Sequence, residues 1–131
     1  MALVVLDASV VIAFLDPADA LHDPAVAALS VHQHDELLIP ASVYAEILVA
    51  PYRRGAKAVD AVEAFLSDFA VRVAPLTPTI ARAAAKLRGK SRSLRLPDAL
   101  VLATADELDA DTVLTGDKSW GRLSNRVEVV P

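Results

Sequence analysis

Leu3 to Leu6 form an unbroken apolar run, Leu-Val-Val-Leu, and the residue that follows is Asp7. A strand with one wet face alternates apolar and polar positions. A short continuous run rich in valine instead predicts a strand buried on both faces. Burial on both sides constrains everything downstream, because helices must then cover the two faces of the sheet.

The rest of the chain supplies strands and helices in alternation. Ser9 to Leu15 reads as a helix ended by the turn-forming Asp16-Pro17-Ala18-Asp19, and Pro24 opens a second short helix toward Val31. Glu36 to Ile39 is a strand stopped by Pro40. Ala41 to Ala50 reads as a helix closed by Pro51, with Ser42 as candidate N-cap. Val59, Val62, Leu66 and Phe69 fall at helical spacing within Ala56 to Phe69. Val71 to Ala74 is a short strand. Thr77 and Pro78 then read as N-cap and first helical residue, ahead of the stripe Ile80, Ala83, Ala84, Leu87 and a stop at Gly89. Pro97 opens a helix over Asp98 to about Leu108, and Thr112 to Thr115 and Val127 to Val130 complete the strands. This order predicts an α/β fold with a central, mainly parallel sheet. A length of 131 residues suits one domain spanning 1–131.

Three acids stand alone in apolar surroundings. Asp7 is the only charge between Met1 and Leu15, Glu46 the only one between Pro40 and Pro51, and Asp98 the only one from Leu96 to Ala105. Such a carboxylate is costly to bury without a partner, and none of these runs contains a lysine or arginine. A shared divalent cation would offset all three at once. Asp7 ends the first buried strand, and a fourth acid, Asp117, follows the Thr112–Thr115 strand. Ligands of open α/β sheets gather beyond the carboxyl ends of strands. Each acid also has a purely structural role open to it: Asp7 as a helix cap, Asp98 at a helix N-terminus, Asp117 as a turn residue after Gly116. Oxygen donors without neighbouring cysteine or histidine suit Mg²⁺ or Mn²⁺ better than zinc.

The absence of cysteine excludes disulfides and thiolate metal sites and fits a reducing cytoplasm. The apolar start lacks a basic leader and is interrupted by Asp7, and no run approaches the roughly 18–20 apolar residues of a membrane span, so a cytoplasmic chain is expected. The net charge of −4 argues against general nucleic-acid binding. Yet Arg82, Lys86, Arg88, Lys90, Arg92 and Arg95 follow one another with no acid between them. A solvated helix face and a local phosphate-attracting strip both account for that run. Arg53, Arg54 and Lys57 form a second, smaller basic group.

The segments VVLDASVVIAFLD, the helix with Ala45-Glu46, RLPDALVLATA and VLTGDKSWGRL together resemble the PIN domain, specifically the VapC toxins of bacterial toxin–antitoxin pairs. The resemblance runs from about residue 3 to residue 130, with four acid-bearing motifs in the family's order. It implies a three-layer α/β/α sandwich and a Mg²⁺- or Mn²⁺-dependent endoribonuclease. It assigns metal binding and catalysis to Asp7, Glu46, Asp98 and Asp117, and supporting hydroxyls to Ser9 and Thr115. It further implies an RNA substrate, a homodimer and a cognate VapB-type antitoxin. Arg82, Lys86, Arg88, Arg92 and Arg95 become RNA-contact candidates because their strip leads into Asp98. The aromatic that follows the last acid is Trp120, for which packing over the sheet's end is the expected role.

Rival enzyme classes lack their signatures. A haloacid-dehalogenase-like phosphatase needs Asp-x-Asp after the first strand, where this chain has Asp7-Ala8-Ser9. A receiver domain needs an acidic pair before its first helix. Four glycines in the whole chain leave no glycine-rich phosphate loop. The alternative from another class is a non-catalytic module that binds an antitoxin or RNA. His32 and His34 make an H-x-H pair, but with no third ligand nearby.

Overall fold

The computed structural model describes residues 1–131. Its elements run β1 (Leu3–Leu6), α1 (Ala8–Leu15), α2 (His22–Val31), β2 (Glu36–Pro40), α3 (Ala41–Arg54), α4 (Ala56–Asp68), β3 (Arg72–Ala74), α5 (Pro78–Lys90), α6 (Leu96–Glu107), β4 (Thr112–Thr115) and β5 (Val127–Val129), with a 3₁₀ turn at Lys118–Arg122 between the last two strands. All five strands are parallel, in the order β3-β2-β1-β4-β5.

Consecutive residues of a strand point to opposite faces, so burial along a strand reports on both layers. Val4, Val5 and Leu6 are fully buried, as are Leu37, Leu38 and Ile39 of β2 and Val113, Leu114 and Thr115 of β4. Helices therefore cover both sides of the central strands, as the continuous apolar runs predict. Trp120, in the 3₁₀ turn, is the largest fully buried side chain and closes the core near the end of β4, the packing role expected of it.

The connections create one special place. From β1 the chain moves outward to β2 and β3, then returns across the sheet to β4 on the other side of β1. The carboxyl ends of β1 and β4 are thus neighbours at which the winding direction reverses, with Leu6 in register with Leu114. Crevices of doubly wound sheets open at this point.

Several boundaries differ from the sequence expectation. The helix α3 passes through Pro51 and ends at Arg54, where Gly55 takes φ 126° and ψ 179°, backbone open to glycine and little else. Proline needs φ near −65°, which is helical. It forfeits one hydrogen bond and presses on the carbonyl four residues back, and one turn from the end the helix absorbs this. Ser42 is not the N-cap of α3: Pro40 occupies that position, and the Ser42 hydroxyl is sealed in the first turn without a partner. Thr77 does cap α5, its Oγ1 accepting from the Ile80 N–H at 3.2 Å. That helix runs one residue past Gly89.

Candidate active site at the carboxyl edge of the sheet

Asp7 leaves β1 as the residue preceding α1, and it is the one buried charged side chain in the molecule. Its Oδ2 accepts the hydroxyls of Ser9 at 2.7 Å and Thr115 at 2.9 Å. Both bonds fall on the same oxygen, and Oδ1 has no protein donor. Charge-assisted bonds of this kind hold a carboxylate's orientation firmly. The two hydroxyls are held in turn. Ser9 Oγ accepts the Gly116 N–H at 2.9 Å, and Thr115 Oγ1 accepts the Asp117 N–H at 3.1 Å.

This network stitches the ends of β1 and β4 together and fits closely around the glycine at 116. A Cβ there would come within 2.7 Å of Leu21 Cδ1 and 3.4 Å of Ser9 Oγ. Asp117 then turns outward as cap of the 3₁₀ turn, its Oδ1 accepting the Ser119 N–H at 2.9 Å and the Ser119 hydroxyl at 2.6 Å. These bonds favour its charged form and lower its pKa. Ser119 escaped the sequence reading. The available signal was spacing: Asp117-Lys118-Ser119 repeats the Asp-x-Ser of Asp7-Ala8-Ser9, and both serines bond the acid two residues before them.

Glu46 projects from the second turn of α3, and Asp98 from the first turn of α6. Burial raises the Glu46 pKa, and the charges of Asp7 and Asp98 push it further in the same direction. Burial is also the main cause of the raised pKa of Asp98, with Asp7 and Asp117 adding to it. Glu46 is exposed, yet it lines a cleft of ≈ 100 Å³ between apolar Ile12, Leu15, Ile47 and Pro51, with Asp16 and Arg54 also on its walls. Apolar walls on one side desolvate a carboxylate even where the other side is wet. Asp7 and Asp98 thus lie within electrostatic reach of Glu46, and Asp7 and Asp117 within reach of Asp98, near the switch point.

One cation stands among them. Arg95 Nε lies 3.6 Å from Asp98 Oδ2, and its charge opposes the upward shifts of both Glu46 and Asp98. At that separation the contact is an ion pair rather than a hydrogen bond. Asp98 therefore has a local partner just outside its apolar run, at position i−3.

As placed, no three His, Asp or Glu side chains form a group that could hold a metal ion among themselves. The donor chemistry nevertheless suits a hard cation. All four groups are carboxylates, mutual repulsion operates among them, and Asp7 keeps one oxygen without a donor. Mg²⁺ commonly takes only one or two carboxylates directly and completes its octahedron with water. The histidines lie outside this picture. His32 Nδ1 bonds Asp35 at 2.9 Å, His22 Nδ1 bonds the Ala13 carbonyl at 2.8 Å, and His34 is exposed, so the H-x-H pair is not a joint site.

The basic candidates Arg82, Lys86, Arg88, Arg92 and Arg95 are all exposed, as are Lys90 and the second group Arg53, Arg54 and Lys57. No helix of the molecule is long and apolar enough to cross a membrane.

The PIN domain model matches residues 4–125. No curated protein matches the chain. Among solved structures, the fold is similar to VapBC2 from Rickettsia felis, with TM-score 0.80 and 15% identity over 98% of this chain and 99% of that one. VapC20 of Mycobacterium tuberculosis, a sarcin-ricin loop cleaving toxin, superposes with TM-score 0.79 and 24% identity over 98% and 99% of the two chains. A toxin–antitoxin complex from Klebsiella pneumoniae gives TM-score 0.75 and 21% identity over 98% of each. At these identities the structures speak for the fold. The family model covers most of the chain, and by that match the protein belongs to the PIN domain family.

Proposed function

We propose that this chain is a Mg²⁺- or Mn²⁺-dependent endoribonuclease, the VapC-type toxin of a toxin–antitoxin pair. The observation that carries the reading is the Asp7 arrangement: a buried carboxylate at the switch point, one oxygen clamped by Ser9 and Thr115, the other without a donor. Asp7, Glu46, Asp98 and Asp117 would hold the cation. When bound, it makes water a stronger nucleophile and neutralises charge developing on the phosphate.

The chain's own residues do the positioning. Ser9 and Thr115 fix the Asp7 carboxylate, so it cannot swing toward α1 to cap it. Ser119 favours the charged form of Asp117, just beyond the end of β4. Glu46 and Asp98, with proton affinity raised by burial, are the carboxylates of the four best suited to exchanging a proton. Fold similarity to VapBC2 and to the Klebsiella complex supports an antitoxin partner, a VapB-type protein, and the VapC20 likeness supports RNA as substrate. We extend the reading to a homodimer acting in the cytoplasm.

A second reading follows from the lack of a three-acid cage: a PIN module that binds RNA or an antitoxin without cutting. One assay separates the two. Cleavage of structured RNA is measured with Mn²⁺, with Mn²⁺ plus EDTA, and with the Asp7→Asn protein. The nuclease reading expects cutting only in the first; binding with no cutting in any arm supports the module, and equal cutting in all three overturns the metal-dependent site.

A further inference from the structure

The one motif the site does not absorb is the basic run that precedes Asp98. Helical geometry sorts it. Arg82, Lys86 and Lys90 are spaced by four residues within α5 and form one ridge, about 12 Å long at 1.5 Å per residue. Buried Ile80 and Ala84 lie on the other side of that helix, and Arg88 falls on a separate flank. Its exposed neighbours on the helix, Pro78, Thr79, Ala81, Ala85 and Gly89, are all small. Arg82, Lys86, Arg88, Lys90 and Arg92 take part in no ion pair within the protein, in contrast to Arg72 and Arg126, which are both matched by acids. Unpaired like charges on one helix face repel one another and persist most readily where an anion compensates them.

The ridge connects along the chain to the acidic cluster. The helix α5 ends at Lys90, and residues 91–95 lead to the first turn of α6, which carries Asp98. Five residues span at most about 17 Å, and Arg95 closes the gap by its contact with Asp98. No aromatic residue occurs between Pro78 and Asp98. The strip thus offers no stacking platform for bases, and contacts to phosphate carry no sequence information.

We propose that the Arg82–Lys86–Lys90 ridge of α5, continued by Arg95, is a phosphate track that leads an RNA strand into the acidic crevice without reading its sequence. This deepens the ribonuclease reading and rests on it. The occupant is RNA backbone rather than an acidic peptide, because the four-residue repeat places charges at regular intervals along a line, as phosphates are on a strand, and the chain beyond that line brings Arg95 to Asp98 of the proposed cleavage site.

The test uses the full-length Asp7→Asn protein, which holds substrate without cutting it, and two fluorescein-labelled RNA 20-mers of unrelated sequence. Binding is measured by anisotropy across a salt series. Adding Arg82→Gln, Lys86→Gln and Lys90→Gln should weaken binding about tenfold or more near 0.1 M salt and reduce the slope of log K against log salt by about 2, equally for both RNAs. Circular dichroism and melting report that the triple variant is folded. An unchanged slope overturns the track. So does an equal or larger loss from Arg53→Gln, Arg54→Gln and Lys57→Gln, which would place the phosphates elsewhere, and so does a loss confined to one RNA. Failure of the ribonuclease reading looks different: the unmodified chain would cut neither RNA, whether or not it binds them, whereas failure of the track alone leaves cutting by that chain intact.

Discussion

Thr115 and Asp7, 108 residues apart in the chain, are joined by a buried hydrogen bond of 2.9 Å from the threonine hydroxyl to Oδ2 of the acid. The same hydroxyl accepts the N–H of Asp117 at 3.1 Å, so one side chain aligns the first and last acids of the site. Thr115→Val keeps the shape and removes both bonds, leaving the buried carboxylate with Ser9 alone. Hydrogen bonds to charged groups contribute about 1.5–3 kcal/mol, and a loss of stability in that range is expected from urea unfolding. Thr115→Ser, which restores the hydroxyl, should recover most of it. A valine variant as stable as the parent would mean that this hydroxyl carries no structural burden.

The Gly116 backbone is a second point of tight fit. An alanine there meets Leu21 Cδ1 at 2.7 Å. The leucine tip can move, so the expected cost lies toward the low end of overpacking, about 1 kcal/mol. In a Leu21→Ala background the same Gly116→Ala change should cost measurably less. Additive losses in that double-mutant cycle would show that the clash is relieved elsewhere.

Raised pKa values at Glu46 and Asp98 carry a definite sign. A carboxyl group that holds its proton more tightly in the folded state contributes stability below the unfolded pKa, near ~4, and loses that contribution as pH rises through the folded value. Glu46→Gln removes the penalty. Without metal, its melting temperature relative to the parent should be more favourable at pH 7 than at pH 4. Asp117, whose pKa is lowered by Ser119, runs the other way: it adds stability above the unfolded value and loses it in acid. Mn²⁺ at about a hundred times its Kd should stabilise the parent at pH 7 by about 2.7 kcal/mol. A glutamine variant that melts lower than the parent at pH 7 by as much as at pH 4 would show that the Glu46 charge is not under strain.

What could be read directly from the residues was whatever local chemistry dictates. The double-sided burial of Val4 to Leu6 announced the parallel sheet, and Thr77-Pro78 announced the start of α5. The isolation of Asp7, Glu46 and Asp98 marked them before any fold was available. The placing of Asp117 near Asp7 was not legible, because it depends on the crossover from β3 to β4 that brings the strand preceding Asp117 beside β1. Ser42 has the residue type of a cap, but the chain path places Pro40 in that position. Pro51 was mistaken for a stop because proline ends helices by preference, not by necessity. If the helix does pass through Pro51 at a cost, Pro51→Ala should restore the bond to the Ile47 carbonyl and raise the melting temperature; a fall would mean that the ring's packing beside Leu15 and Ile47 outweighs the lost bond.

Arg95 gives the last prediction, because its effects on stability and on protons should separate. Its side chain is 77% exposed, and exposed ion pairs are worth about 0–1 kcal/mol. Arg95→Gln should therefore leave thermal stability nearly unchanged. The same charge, however, opposes the upward shifts at Glu46 and Asp98 and helps lower Asp117. Its removal should move the titration of all three acids to higher pH, observable by carboxyl NMR of the metal-free protein. Asp98, in direct contact, should move most. If the three titrations stay in place while stability falls, Arg95 acts as a structural tie at the start of α6, and the electrostatic coupling between the basic run and the acids does not exist.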